Sequence, residues 1–156
     1  MKNLLVGLIL LLALYGCEIF NDSNDNSNPL HKSIISDEVE FSVEIPSNSY
    51  SLFDTLNITF KVKNYSTLPK KFNFANMQQV AFELIDKYKN VAISYPNIVS
   101  PALSNFTVNP NETKVLLISG FFKHRSGNYI NTGLYTLSIF LADRNSPRIN
   151  LNISVY

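Results

Sequence analysis

Three features of the sequence predict an all-β domain of seven to eight strands. Apolar and polar residues alternate with a period of two over most of residues 39–156, turn-forming clusters interrupt that alternation at short intervals, and no stretch carries a sustained helical stripe. Composition agrees. Tyr and Phe together number 19 (8 + 11), and Gly only 5, and aromatic and β-branched side chains suit a pleated, half-buried surface. Asn occurs about twenty times, and it favours turns and loop tips.

The strands follow in order. "VEFSVEI" sets Val39, Phe41, Val43 and Ile45 against Glu40, Ser42 and Glu44. "TLNITFKVKN" sets Leu56, Ile58, Phe60 and Val62 against Asn57, Thr59, Lys61 and Lys63. This apolar-in, polar-out pattern suits antiparallel sheets with one wet face. It recurs at Phe72 and Phe74, at Val80, Phe82 and Leu84, and at Val91 and Ile93. It returns in "TKVLLISG", in "GLYTLSIFLA" and in "RINLNISVY". The punctuators between them are "PSNS" at 46–49, "NYSTLP" at 64–69, "DKYKN" at 86–90, "NPNE" at 109–112, "SGN" at 126–128 and "RNSP" at 144–147. Residues 37–156 thus read as an immunoglobulin-like antiparallel β-sandwich, without the Cys–Trp–Cys signature of antibody domains.

The N-terminus reads differently. Lys2 precedes an apolar run from Leu4 to Tyr15, the anatomy of a secretory signal peptide and too short for a membrane-spanning helix, which needs about 20 apolar residues. "LYGC" at 14–17 resembles the bacterial lipoprotein signal, the lipobox, although Tyr15 is bulkier than that pattern's usual residue. The resemblance implies cleavage after residue 16 and acylation of Cys17, so the expected membrane partner is lipid held through that cysteine. Two or more acyl chains anchor a protein stably, at about 0.8 kcal/mol per buried methylene. Cys17 is the only cysteine, so the mature chain is expected to hold no internal disulfide. Export is expected, with Glu18 in place of the inner-membrane-retention Asp pointing to the outer membrane of a two-membrane organism. Residues 17–36, including the polar "NDSNDNSNPLHKS" at 21–33, are expected to form a flexible linker, because they hold too little apolar surface to offset the entropy of ordering.

Residues 39–141 resemble the BsuPI-type proteinase inhibitor domain, an immunoglobulin-like module of bacterial proteins. The resemblance rests on "LNITFKVKNYSTLPKKFNF" with its strand-ending Asn64, on the hairpin "VAFELIDKYKNVAISYP", on "FTVNPNETKVLLIS" with Pro110 and Glu112, and on the Gly-x-Tyr strand "TGLYTLSIFL". Asn111 stands where that family has a turn glycine, and Asn tolerates the positive φ such a turn needs. The aromatic-rich motif after the second hairpin is reduced to "SYPN". The resemblance implies a protein partner, with a protease as the named candidate.

Other function classes find little support. From Cys17 onward the charges cancel, 12 basic (13 less Lys2) against 12 acidic, and no clustered basic module points to nucleic acid. His31 and His124 are 93 positions apart, too few ligands for a zinc site, and no cofactor is expected. There is no GxSxG elbow, and Glu83, Asp86, Glu112 and Asp143 read as surface or turn carboxylates. The expectation is a non-enzyme. The stretch best suited to binding is "GFFKHRSGNYINTG", 120–133, which carries Phe121, Phe122, Lys123, His124, Arg125 and Tyr129 between two strands. Aromatic and Arg side chains dominate binding hot spots. The leading expectation is a lipid-anchored protein-binding module, and the alternative is an envelope carbohydrate-binding or adhesion module.

Overall fold

The computed structural model describes residues 29–96, 101–143 and 145–156. The signal segment, Cys17 and the first part of the expected linker lie outside them.

The described chain forms eleven strands: β1 (Leu30–Ser36), β2 (Val39–Ile45), β3 (Ser49–Tyr50), β4 (Thr55–Asn64), β5 (Lys70–Phe74), β6 (Val80–Ile85), β7 (Val91–Tyr95), β8 (Ser104–Val108), β9 (Thr113–Phe121), β10 (Gly133–Leu141) and β11 (Ile149–Val155). One sheet has the order β1-β2-β4-β9, and the facing sheet β3-β11-β10-β6-β7. This is the immunoglobulin-like arrangement, with β2, β4 and β9 on one layer and β6, β10 and β11 on the other. Pairing is antiparallel apart from the short β3, which runs parallel to the end of β11. Alternate residues of both layers meet in the core, where Phe60, Phe82, Leu84, Leu137 and Ile139 are fully enclosed. Each such side chain contributes about 1.5–3 kcal/mol of transfer free energy.

A third, two-stranded sheet, β5-β8, plugs one end of the sandwich. Its Phe72, Phe74 and Phe106 rings pack on one another, and Phe72 meets Phe41 of β2 edge-on at 6.2 Å. Asn64, at the end of β4 and wholly buried, ties this plug down. Its Nδ2 donates to the carbonyls of Leu68 and Val108, and its Oδ1 accepts from the Ser66 amide and hydroxyl. Asn111 takes the positive φ expected of it (62°), and its amide donates to the Asn64 carbonyl. Near the opposite end, Tyr135 of β10 donates its hydroxyl to the Asn131 carbonyl at 2.7 Å, the tyrosine corner of such sandwiches.

Eight strands match the alternating runs read from the sequence, and β1, β3 and β8 add to them. β1 corrects the expected boundary. The polar segment is already strand from Leu30, paired residue for residue with β2 from Leu30↔Ile45 to Ser36↔Val39. Leu30 and Ile34 pack against the core, and Lys32 reaches over to donate to the Asn150 carbonyl on the facing layer. The β1–β2 connection is the two residues Asp37 and Glu38, both at positive φ (50° and 62°). That geometry matches the twist of the flanking strands and is usually built from Asn-Gly. β2 supplies the ladder partners, so a sequence with few apolar residues is ordered by pairing rather than by its own burial.

Candidate functional site

The segment between β9 and β10 is an ordered hairpin at the end of the sandwich away from the β5-β8 plug. Its stem closes through the Ile130 amide donating to the Phe122 carbonyl and the His124 amide donating to the Asn128 carbonyl, with Lys123 and Tyr129 bridging between them. At the tip the Gly127 amide donates to the His124 carbonyl, and Gly127 turns the chain at φ 89°, a conformation glycine adopts without strain.

The six candidate residues separate. Phe122 is 0% exposed and packs on the Tyr50 ring at 5.5 Å, so it belongs to the core and not to a binding surface. Phe121 is exposed on the outer face of β9, where it pairs with Thr55. Strand alternation allows only one of two adjacent phenylalanines to face inward, and the register with β4 selects Phe122. Lys123 is half-buried, and His124, Arg125 and Tyr129 are exposed. Lys123 holds its ammonium 4.4 Å from the Tyr129 ring centroid. The two ion pairs among the described residues, Lys61–Glu44 and Arg148–Glu83, lie elsewhere.

Sequence reasoning missed Phe53. Its ring meets Tyr129 edge-to-face at 5.0 Å and 78°, and it is 75% exposed. A tight turn holds it outward: the Ser51 amide donates to Asp54 Oδ2, and the Asp54 amide to the Ser51 carbonyl. The available signal was an apolar residue inside a turn, between Ser51 and Asp54, where no strand face could claim it. Together Phe53, Tyr129 and Lys123 make an exposed aromatic–cation cluster drawn from two loops, with Phe121 on the adjoining outer face of β9.

Three of the four carboxylates read as surface or turn groups have structural partners for their side chains, Asp143 being the exception among the described residues. Glu83 pairs with Arg148 at 2.6 Å, and Glu112 accepts from the Asn109 amide. Asp86 accepts from the amides of Tyr88 and Asn90, and the Asn90 backbone above all holds its carboxyl below the usual range. Among the described residues, no three His, Cys, Asp or Glu side chains converge as a metal site would need. No helix among them is long and apolar enough to cross a membrane. A groove of about 220 Å³ runs beside β9, lined by Met77–Val80, Tyr95 and Leu116–Ile118.

No protein-family model matches the chain. No curated protein matches it either. Solved structures similar to it include the alkylpurine DNA glycosylase AlkC of Pseudomonas fluorescens bound to abasic-site DNA, with TM-score 0.51 at 9% identity over 78% of this chain and 31% of that one. A β-glucosidase from Listeria innocua aligns with TM-score 0.44 at 15% identity, over 81% and 16% of the two chains. The CARDB domain of the PF1109 protein of Pyrococcus furiosus aligns with TM-score 0.39 at 11% identity, over 81% and 93%. The chain spans under a third of the glycosylase and about a sixth of the glucosidase. At these identities the first likeness speaks to the fold alone.

Proposed function

We propose that the chain is an exported, lipid-anchored, non-catalytic cell-envelope protein whose sandwich binds another protein through the 120–133 hairpin. The observation that carries the binding reading is the exposed cluster of Phe53, Tyr129 and Lys123. Exposed aromatic rings held rigid beside a cation resemble the anchors of protein interfaces, because they lose little conformational entropy on contact. The anchor reading rests on the lipobox-like "LYGC" at 14–17.

The narrower form is a proteinase inhibitor, supported by the BsuPI-type resemblance and by the ordered, protruding hairpin tip. Capture of envelope proteins by the wild-type chain, compared with Tyr129→Ala and Phe53→Ala, tests the binding reading. A specific partner lost in both variants supports it, and equal capture by all three sinks it. Incubation with a subtilisin-like protease tests the inhibitor form: stoichiometric slowing without cleavage supports it, and simple degradation removes it.

A further inference from the structure

The described chain enters the sandwich at the hairpin end, and we infer that this end rests on the headgroups of the membrane to which Cys17 is attached. This rests on the anchor reading, and it places the hairpin's protein partner at the bilayer surface, with lipid as its competitor. Leu30, where β1 begins, lies opposite Ile45, and β2 passes from there into the connection that carries Phe53. Pro29 borders Pro46 and Asn57 in a recess at that end. In the facing layer Thr136 of β10 pairs with Ile85, so the turn from Asp86 to Asn90 lies beside the start of β10, again at the hairpin end.

Contour length decides between the two ends. Cys17 and Pro29 are 12 positions apart (29 less 17), so at most about 43 Å of chain joins them. β4 runs the height of the sandwich, and its ten residues span about 33 Å. With the hairpin end down, the joining chain has none of the sandwich to pass. With the plug end down, it must run back along that whole height, which leaves only about 10 Å to spare. The surface agrees. Besides Phe53 and Tyr129 this end exposes Tyr88, with the Lys87 ammonium 4.9 Å from its ring centroid. Tyrosine rings settle at headgroup level, and lysines and arginines beside them are drawn to anionic lipid. Among the described residues the loops at this end carry Lys87, Lys89, Lys123 and Arg125 against Asp54 and Asp86. Both carboxylates accept from backbone amides of their own turns, and neither ion pair among the described residues involves the four cations.

The chain holds no tryptophan, so one introduced at a chosen position is its sole indole. The acylated full chain is reconstituted in phosphatidylcholine–phosphatidylglycerol vesicles that carry a headgroup spin label as quencher. Phe53→Trp and Tyr88→Trp are expected to be quenched roughly threefold more than Leu68→Trp, whose exposed site lies by the plug about 33 Å away. Lys87→Glu combined with Lys89→Glu is expected to lower the Phe53→Trp quenching by about half, through repulsion from the anionic lipid. Equal quenching at the three positions, or quenching indifferent to the charge reversal, overturns the inference and leaves the anchor reading standing. Equal palmitate labelling of wild type and Cys17→Ser overturns the anchor reading, and the inference with it.

Discussion

The side-chain amide of Asn64 donates to the carbonyl of Val108 at 2.9 Å, across 44 residues and in complete burial. That bond and its companions to Leu68 and Ser66 join the end of β4 to the β5-β8 plug. Replacing Asn64 by Leu takes its side-chain partner from the buried Val108 carbonyl and from the Ser66 amide, while the Ser66 hydroxyl and the Leu68 carbonyl still bond each other. With each buried unsatisfied group costing about 1–3 kcal/mol, a loss of at least 3 kcal/mol is expected, on the order of two such penalties. Urea unfolding of wild type and Asn64→Leu measures it, and a change below about 1 kcal/mol would show that the network carries no net stability.

Gly120 faces Phe82 across the sandwich so closely that an added Cβ would sit 2.5 Å from the ring's Cζ. The ring cannot yield easily, since it is 1% exposed and stacked on Tyr95 at 5.2 Å. Gly120→Ala is expected to destabilise by about 1–3 kcal/mol through overpacking. Phe82→Leu should relieve part of that cost in the double variant. Additive losses in the double-mutant cycle would refute the contact.

A chain starting at residue 37, the boundary read from the sequence, lacks β1. It uncovers the β2 edge and the core flank that Leu30 and Ile34 cover. Relative to a chain starting at residue 29, it is expected to lose about 2 kcal/mol, the burial of two half-covered aliphatic side chains. It should also show faster amide exchange along Val39–Ile45. Identical urea midpoints for the two chains would contradict the role assigned to β1.

Burial raises the pKa of the Tyr50 and Tyr135 phenols above 10.0, and for Tyr135 the Asp86 charge adds to the rise. The Tyr50 hydroxyl is enclosed and unpartnered; the Ser47 backbone lies near enough to oppose the shift but completes no hydrogen bond. The folded state therefore keeps protons that the unfolded chain gives up. Stability from this source is complete below pH 10 and falls as pH climbs from there through the raised values. Tyr50→Phe should leave neutral-pH stability unchanged or improved, because no hydrogen bond is lost. It should also lessen the decline above pH 10. A steeper alkaline decline in Tyr50→Phe would reverse the assignment.

Phe53 is mostly exposed, so Phe53→Ala is expected to shift stability by no more than about 0.5 kcal/mol. On the binding reading it weakens partner capture by about 2 kcal/mol, a hot-spot loss. An unfolded Phe53→Ala variant would show instead that the Tyr129 contact is structural. Palmitate labelling of wild type against Cys17→Ser tests the anchor, with label expected only in the wild type.

The period-two pattern by itself determined which side chains line the core in β2, β4, β6, β10 and β11, because alternation along a strand is a local property of the backbone. It misplaced Val91, which is exposed, and left the face of β9 open, where residues 115–118 are all apolar. Asn111, which stands where the turn of the resembled family has a glycine, takes the positive φ that its residue type tolerates. What lay beyond these local properties was decided between segments. β1 owes its order to the ladder offered by β2, and Asp37–Glu38 form a tight turn that their residue types do not advertise. Phe121 and Phe122 are equivalent in sequence, and only the register with β4 turns one inward and the other out. Phe53 meets Tyr129 because two loops 76 residues apart leave the sandwich at the same end. A strand's own residues determine its faces, while its neighbours in the fold determine what each face meets.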